Sequence, residues 1–101
     1  MDDEYVEAVL STVEKIPPGR AMAYGAIADV LGDELGRGGP RQVGAVMAAY
    51  GGAVPWWRVV TASGRLPPGH EVEALRALVA EGTPMSADGT RVDMRRASWS
   101  P

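Results

Sequence analysis

Proline and glycine dictate where regular structure can run in this chain. Ile16-Pro17-Pro18-Gly19 stops any helix that precedes it, because proline has no N–H to donate and clashes with the preceding turn. Residues 32–39, Gly51-Gly52, Ala62-Ser63-Gly64 and Gly82 interrupt the chain again. Four short helices fit between these breaks. Val6, Val9, Leu10 and Val13 recur at helical spacing, with acids in the first turn where they complement the helix dipole. Tyr24, Ile27, Ala28 and Leu31 form a second stripe, closed by Gly32. A third helix begins with Pro40 at its first position, carries Val43, Val46, Met47 and Tyr50 on one face, and stops at Gly51-Gly52. Val72, Leu75, Leu78 and Val79 mark the fourth, which ends at Gly82.

The second and third helices, joined by a glycine-rich turn, resemble a helix-turn-helix with residues 40–50 as the recognition helix. The run Val54-Pro55-Trp56-Trp57-Arg58-Val59-Val60 and the turn after it read as a short strand and hairpin, a wing beside the helices. The expected fold class is therefore mainly α: a winged helix-turn-helix-like DNA-binding domain with a small β hairpin. Residues 1–82 carry that domain. Residues 83–101 read as a partly ordered tail of the same domain, with one short strand at 91–94 and a flexible basic end. A chain of 101 residues supports one modest core, and no repeat or second domain is visible.

Composition removes several function classes. There is no cysteine, hence no disulfide, thiolate nucleophile or Cys-based metal site. A single histidine, His70, leaves little for a His-ligated metal or a His-based triad, and no metal or cofactor is implied. No apolar run is long enough to cross a bilayer, and the acidic start at Asp2, Asp3 and Glu4 is the opposite of a signal-peptide n-region. The expected location is the cytoplasm, nucleoid-associated when bound to DNA, with no membrane partner.

A net charge of −3 argues by itself against nucleic acid, but its distribution does not. Residues 1–14 carry five acids and no base. Residues 35–70 hold no acid, while Arg37, Arg41, Arg58 and Arg65 supply four positive charges. Nine of the ten basic residues are arginine, which suits forked phosphate contacts and stacking on bases. Arg41 falls in the first turn of the third helix, beside backbone N–H groups that favour a phosphate. It reads equally well as an exposed arginine at a helix start. Trp56 and Trp57 read as core anchors, or with one of them as the wall of a base pocket.

Taken in order, these segments resemble a known family. Ile16-Pro17-Pro18-Gly19-Arg20, Ala23-Tyr24-Gly25-Ala26-Ile27-Ala28, Arg41-Gln42-Val43-Gly44-Ala45-Val46-Met47 and Pro55-Trp56-Trp57-Arg58-Val59-Val60 resemble successive motifs of the DNA-binding domain of O6-alkylguanine-DNA alkyltransferases. Ser63-Gly64 and Ala80-Glu81-Gly82 continue the match, which covers roughly residues 3–82. In the active enzymes a reactive cysteine and then a histidine follow the proline; here those places hold Trp56 and Trp57. Tryptophan at the cysteine position marks the alkyltransferase-like proteins. The resemblance therefore implies a non-enzymatic protein that binds O6-alkylguanine in duplex DNA by nucleotide flipping. It would transfer no alkyl group and would flag the lesion to a nucleotide excision repair protein, acting as a monomer.

The resemblance also implies roles by position. Tyr24 would crowd the phosphate of the target nucleotide and promote its rotation. Arg41 would fill the vacated place in the stack. Met47, Trp56, Val59, Ser63 and Gly64 would line the pocket for the flipped base, and Arg58 would contact it. Glu81 matches the glutamate that polarises the missing histidine and is expected to be structural. Tyr50 stands where the family often has Asn, and Pro67-Pro68-Gly69 stands where active enzymes have a Gly-Tyr pair over the base.

Other readings of the same residues are a sequence-specific winged-helix regulator, dimeric on a palindrome, and a glycosylase using Glu81. A third is an interaction module whose acidic first helix docks a partner. The chemistry of the two tryptophans yields a direct test. Trp56→Cys restores a thiol but not the imidazole that activates it. The variant is expected to leave the methyl group on an O6-methylguanine duplex after long incubation, and efficient transfer would overturn the assignment.

Overall fold

The computed structural model describes residues 2–36 and 38–101, with Glu34 described by its backbone alone; Arg37 lies outside the described residues. The elements are α1 (Asp3–Lys15), β1 (Met22–Ala23), α2 (Tyr24–Leu35), α3 (Pro40–Tyr50), β2 (Val59–Val60), α4 (Glu71–Ala80) and α5 (Met94–Ala97), with 3₁₀ turns at Gly51–Ala53 and Trp56–Arg58. Among the described residues no helix is long and apolar enough to cross a membrane. The molecule is a mainly helical domain with short strands, as its periodicity implies.

Asp2 caps α1, its carboxylate accepting from the Glu4 N–H at 2.9 Å, and Tyr5, Val6, Val9 and Val13 bury one face. α2 does not end at Gly32. It continues to Leu35 and closes at Gly36, whose φ of 69° is left-handed and whose N–H donates to the Gly32 carbonyl at 2.8 Å. A glycine inside a helix costs only about 1 kcal/mol, and Leu35, packed on the core, offsets it. α3 begins at Pro40 as expected and buries Val43 and Val46.

The expected wing takes another form. The turn at residues 62–64 does close, with the Thr61 N–H donating to the Arg65 carbonyl at 3.1 Å. But β2 pairs in parallel with β1, Met22 beside Val59 and Ala23 beside Val60, instead of forming half of a hairpin. Trp56–Arg58 before it is a 3₁₀ turn. This two-stranded ladder lies between two cores. Successive residues of a strand point to opposite faces. Met22 and Val59 therefore join the cluster of α1, α2 and α3, whereas Ala21 and Val60 join Leu66, Ala74, Leu78, Val92 and Ala97.

α4 is rotated relative to its sequence stripe. Ala74 and Leu78 are fully buried and Leu75 half-buried, while Val72 and Val79 are 65% and 59% exposed. The small Ala74 lets the helix approach the Trp56–Arg58 turn, whose tryptophans cover the same core. The C-terminal segment is tied in as well, where a flexible end was expected. Ala21 donates to the Ala97 carbonyl and Trp99 to the Ala21 carbonyl, both at 2.9 Å, and Arg20 Nε reaches the Ala97 carbonyl at 3.1 Å. In place of a strand at 91–94 there is a single bridge between Met85 and Val92, and Asp93 caps α5.

Arg58 locks these parts together. Its Nε donates to Glu81 Oε1 at 3.1 Å, Nη2 to Oε2 at 2.5 Å, and Nη1 to the Ile16 carbonyl at 2.8 Å. One side chain thus joins the end of α1, the turn before β2 and the end of α4. Its guanidinium also lies 5.5 Å from the Trp57 ring centroid. Burial by itself would push the Glu81 carboxyl up. The Arg58 hydrogen bonds and charge, the neighbouring Trp57 indole and the Gly19 N–H outweigh it and hold the carboxyl below its usual range. Trp57 Nε1 is buried with no partner in hydrogen-bond geometry among the described residues, so its dipole acts on Glu81 without a formed bond.

Two stability predictions follow from the packing and the ion pair. Leu78→Ala is expected to cost about 2–5 kcal/mol and Val79→Ala less than about 0.5, read from urea midpoints; similar losses would refute the helix rotation. Glu81→Gln is expected to cost roughly 1–3 kcal/mol at neutral pH. The Glu81 carboxyl is lowered on folding, so its contribution is complete above its ordinary value of 4.5 and is lost as pH falls through the lowered value. The stability gap between wild type and Glu81→Gln must therefore close in acid, and a gap independent of pH would contradict it.

Candidate nucleic-acid interface

A cleft of about 1050 Å³ opens between the first turn of α2, one face of α3 and the segment that runs from β2 into α4. That volume accommodates a purine nucleoside and its substituent. Each wall follows from local sequence. Tyr24 is the first residue of α2, directly after β1, so strand pairing fixes where its ring emerges. Arg41 occupies the first turn of α3, where proline sets the helix start and Gly39 supplies no side-chain cap. One turn along, Gly44 and Ala48 face the cleft without bulk, while Met47 gives it a flexible apolar surface. Trp56 lies in the 3₁₀ turn just before β2.

Trp56 is held edge-on between two rings: Trp57 at 5.7 Å and 83°, and His70 at 5.7 Å and 64°. Such T-shaped contacts each contribute about 0.5–1.5 kcal/mol beyond burial and restrict the indole to one orientation. Burial raises the Tyr24 phenol above its ordinary value of 10.0, so it stays neutral at physiological pH. Arg41 is exposed and free to extend.

Of the residues expected at the site, Tyr24, Arg41, Met47 and Trp56 line this one cleft. Arg58, Val59, Ser63 and Gly64 do not. Arg58 is committed to Glu81 and Ile16 in the interior. Val59 is wholly buried in the core of α1–α3, because β2 alternation turns it there. Ser63 faces solvent, its hydroxyl 3.2 Å from that of Thr61. Gly64 is pressed against the C-terminal segment: its carbonyl accepts from Val92, and a Cβ at its φ of 87° would lie 2.1 Å from the Val92 carbonyl oxygen. In their place Thr61 and Ala62, from the start of the same turn, reach the cleft.

Glu81, the acid of the glycosylase reading, is also outside the cleft. Tyr50 is half exposed at the end of α3. Pro67, Pro68, His70 and Glu73 form the far rim, and of these the sequence reading missed His70 and Glu73. The departure at Pro67-Pro68-Gly69 pointed to that rim but not to its neighbours. Among the described residues no group of three His, Cys, Asp or Glu side chains is placed to hold a metal ion.

Comparison with known proteins places this geometry. Residues 4–83 match the family model described as 6-O-methylguanine DNA methyltransferase, DNA binding domain. The chain is 33% identical over 103 residues to a DNA base-flipping protein of Escherichia coli (strain K12), covering 98% of this chain and 77% of that one. It is 28% identical to a DNA base-flipping protein of Vibrio parahaemolyticus, covering 98% and 99%. Among solved structures it resembles S. pombe Atl1 in complex with damaged DNA containing O6-carboxymethylguanine, with a TM-score of 0.80, 27% identity, and 100% and 99% of the two chains covered. With tryptophan at the place of the nucleophile and a family match over most of its length, the chain belongs to the DNA-binding domain family of the 6-O-methylguanine DNA methyltransferases, in its alkyltransferase-like, base-flipping branch.

Proposed function

We propose that this protein binds O6-alkylguanine in double-stranded DNA by rotating the nucleotide into the Trp56 cleft, and that it holds the lesion without removing the alkyl group. The observation that carries this reading is the cleft itself: Tyr24, Arg41, Met47 and Trp56, four residues distant in sequence, line one apolar cavity large enough for the base. The chain has no thiol to accept an alkyl group. The bound state is therefore an end point and not an intermediate.

Energetics favour the lesion. Flipping costs a few kcal/mol of stacking and pairing, and less where alkylation has already weakened the pair. Trp56 and Met47 receive the base and alkyl group, while Arg41 enters the gap and stacks in place of the base. The helix-turn-helix bends DNA from the minor-groove side and makes few base-edge contacts, which suits recognition of damage in any sequence. The protein works as a monomer on chromosomal DNA in the cytoplasm, residues 83–101 belong to the same domain, and the persistent complex recruits a nucleotide excision repair protein.

The test is titration into two duplexes that differ only in one O6-methylguanine, at fixed salt. Wild type is expected to prefer the lesion duplex clearly. Arg41→Ala weakens both duplexes about tenfold and lowers the slope of log K against log salt by about 1. Trp56→Ala removes roughly 1–3 kcal/mol of stacking from the lesion complex alone. Unchanged discrimination in Trp56→Ala would remove that residue from the pocket.

A further inference from the structure

The C-terminal segment is bonded to both walls of the cleft, although among the described residues none beyond Glu73 lines it. One wall rests on the turn at residues 61–65, where Thr61 and Ala62 face the cavity. That turn is closed within itself. The Gly64 N–H donates to the Thr61 carbonyl at 2.9 Å, and the Arg65 N–H to Thr61 Oγ1 at 2.9 Å. Gly64 therefore moves together with the two residues that line the cleft. Its outer contact is Val92, whose N–H donates to the Gly64 carbonyl at 2.9 Å. Any side chain at Gly64 would begin 2.1 Å from the Val92 carbonyl oxygen, so glycine alone lets the two backbones meet. The other wall starts at Tyr24, three residues after Ala21. Ala21 donates to the Ala97 carbonyl and accepts from the Trp99 N–H, both at 2.9 Å. Arg20 clamps the same place, its Nε and Nη2 donating to the Ala97 and Ser98 carbonyls at 3.1 and 2.5 Å.

Between these two anchorages the chain is short and internally tied. Val92 is buried in the second core, Asp93 caps α5 by accepting from the Arg95 N–H at 3.1 Å, and Ala97 is fully buried. A short, packed piece bonded to each wall fixes the separation between them. We propose that residues 92–99 are a strut that holds Thr61 and Ala62 at the distance from Tyr24 that a flipped nucleotide requires. Gly64, Val92 and Arg20 are its positioning residues, and they act through the walls without touching DNA. This inference rests on the base-flipping reading and extends it to a segment beyond residues 4–83, the stretch of the family domain. Linkage supplies a further consequence: if the strut favours the occupied cleft, occupation must in turn tighten the strut.

Two readouts on the full chain test it: the ratio of affinities for O6-methylguanine and intact duplexes, and the exchange rate of the Val92 amide. Gly64→Ala, which forces the Val92 backbone away, is expected to lower the ratio roughly three- to tenfold. Arg20→Ala, which frees the other anchorage, lowers it about threefold. Val92→Ala serves as the control. It shortens a buried side chain and lowers the melting temperature, but it keeps the N–H and carbonyl that meet Gly64, so the ratio stays at the wild-type value. A role confined to stability would make the ratio follow the melting temperature across all three variants, and that pattern overturns the strut. So does a wild-type ratio in folded Gly64→Ala. Should Gly64→Ala fail to fold, amide exchange in wild type decides. The Val92 N–H is expected to exchange more slowly in the O6-methylguanine complex than in the intact-duplex complex, and equal rates overturn the strut while leaving base flipping standing. Absence of any lesion preference in wild type overturns both.

Discussion

The pairing of two dipeptides, Met22-Ala23 with Val59-Val60, is the constraint on which the rest depends. The ladder is minimal, yet it lies between both cores: Val59 and Met22 face one, Val60 the other, which Ala21 joins just before the first strand. It also sets the site. Tyr24 follows the first strand immediately and Trp56 precedes the second by three residues, so the parallel register fixes the distance between the two walls of the cleft. A slip of one residue would invert every side chain of the strand and bring a core residue into the cleft.

Charge is arranged in the same economical manner. The protein is acidic overall, and residues 2–14 carry five acids and no base, whereas residues 35–70 carry no acid. Of the described arginines in the acid-free middle of the chain, Arg58 is withdrawn into the interior. It pairs with a carboxylate and a carbonyl and holds three segments in place. Arg41 remains exposed at the cleft, and the neutral Tyr24 faces the same space. DNA binding in such a molecule depends on where a few charges point, because the sum is unfavourable.

Replacing the reactive pair of the enzymes with two tryptophans changes more than chemistry. Trp56 becomes an edge-packed wall, and Trp57 fills the second core, its ring beneath the Arg58 guanidinium and its indole near Glu81. Glu81 therefore has a structural partner here, the Arg58 guanidinium.

Much of this was determined by the sequence alone. Breakers at 17–19 and 51–52, proline at the start of α3 and the apolar stripes of α1 and α3 are local signals, and they mark those elements because backbone sterics and helical period act over a few residues. The absence of thiol and the order of motifs likewise excluded transfer chemistry and pointed to Tyr24, Arg41, Met47 and Trp56. Only tertiary structure decided the partner of β2, the face of α4 turned inward and the inward path of Arg58. Each depends on groups well separated in sequence, beyond the reach of any local period. The same reason placed His70 and Glu73 at the cleft and removed Val59, Ser63 and Gly64 from it: a motif names residues by position along the chain, but the strand pleat and the close approach of Val92 determine which of them face the cleft.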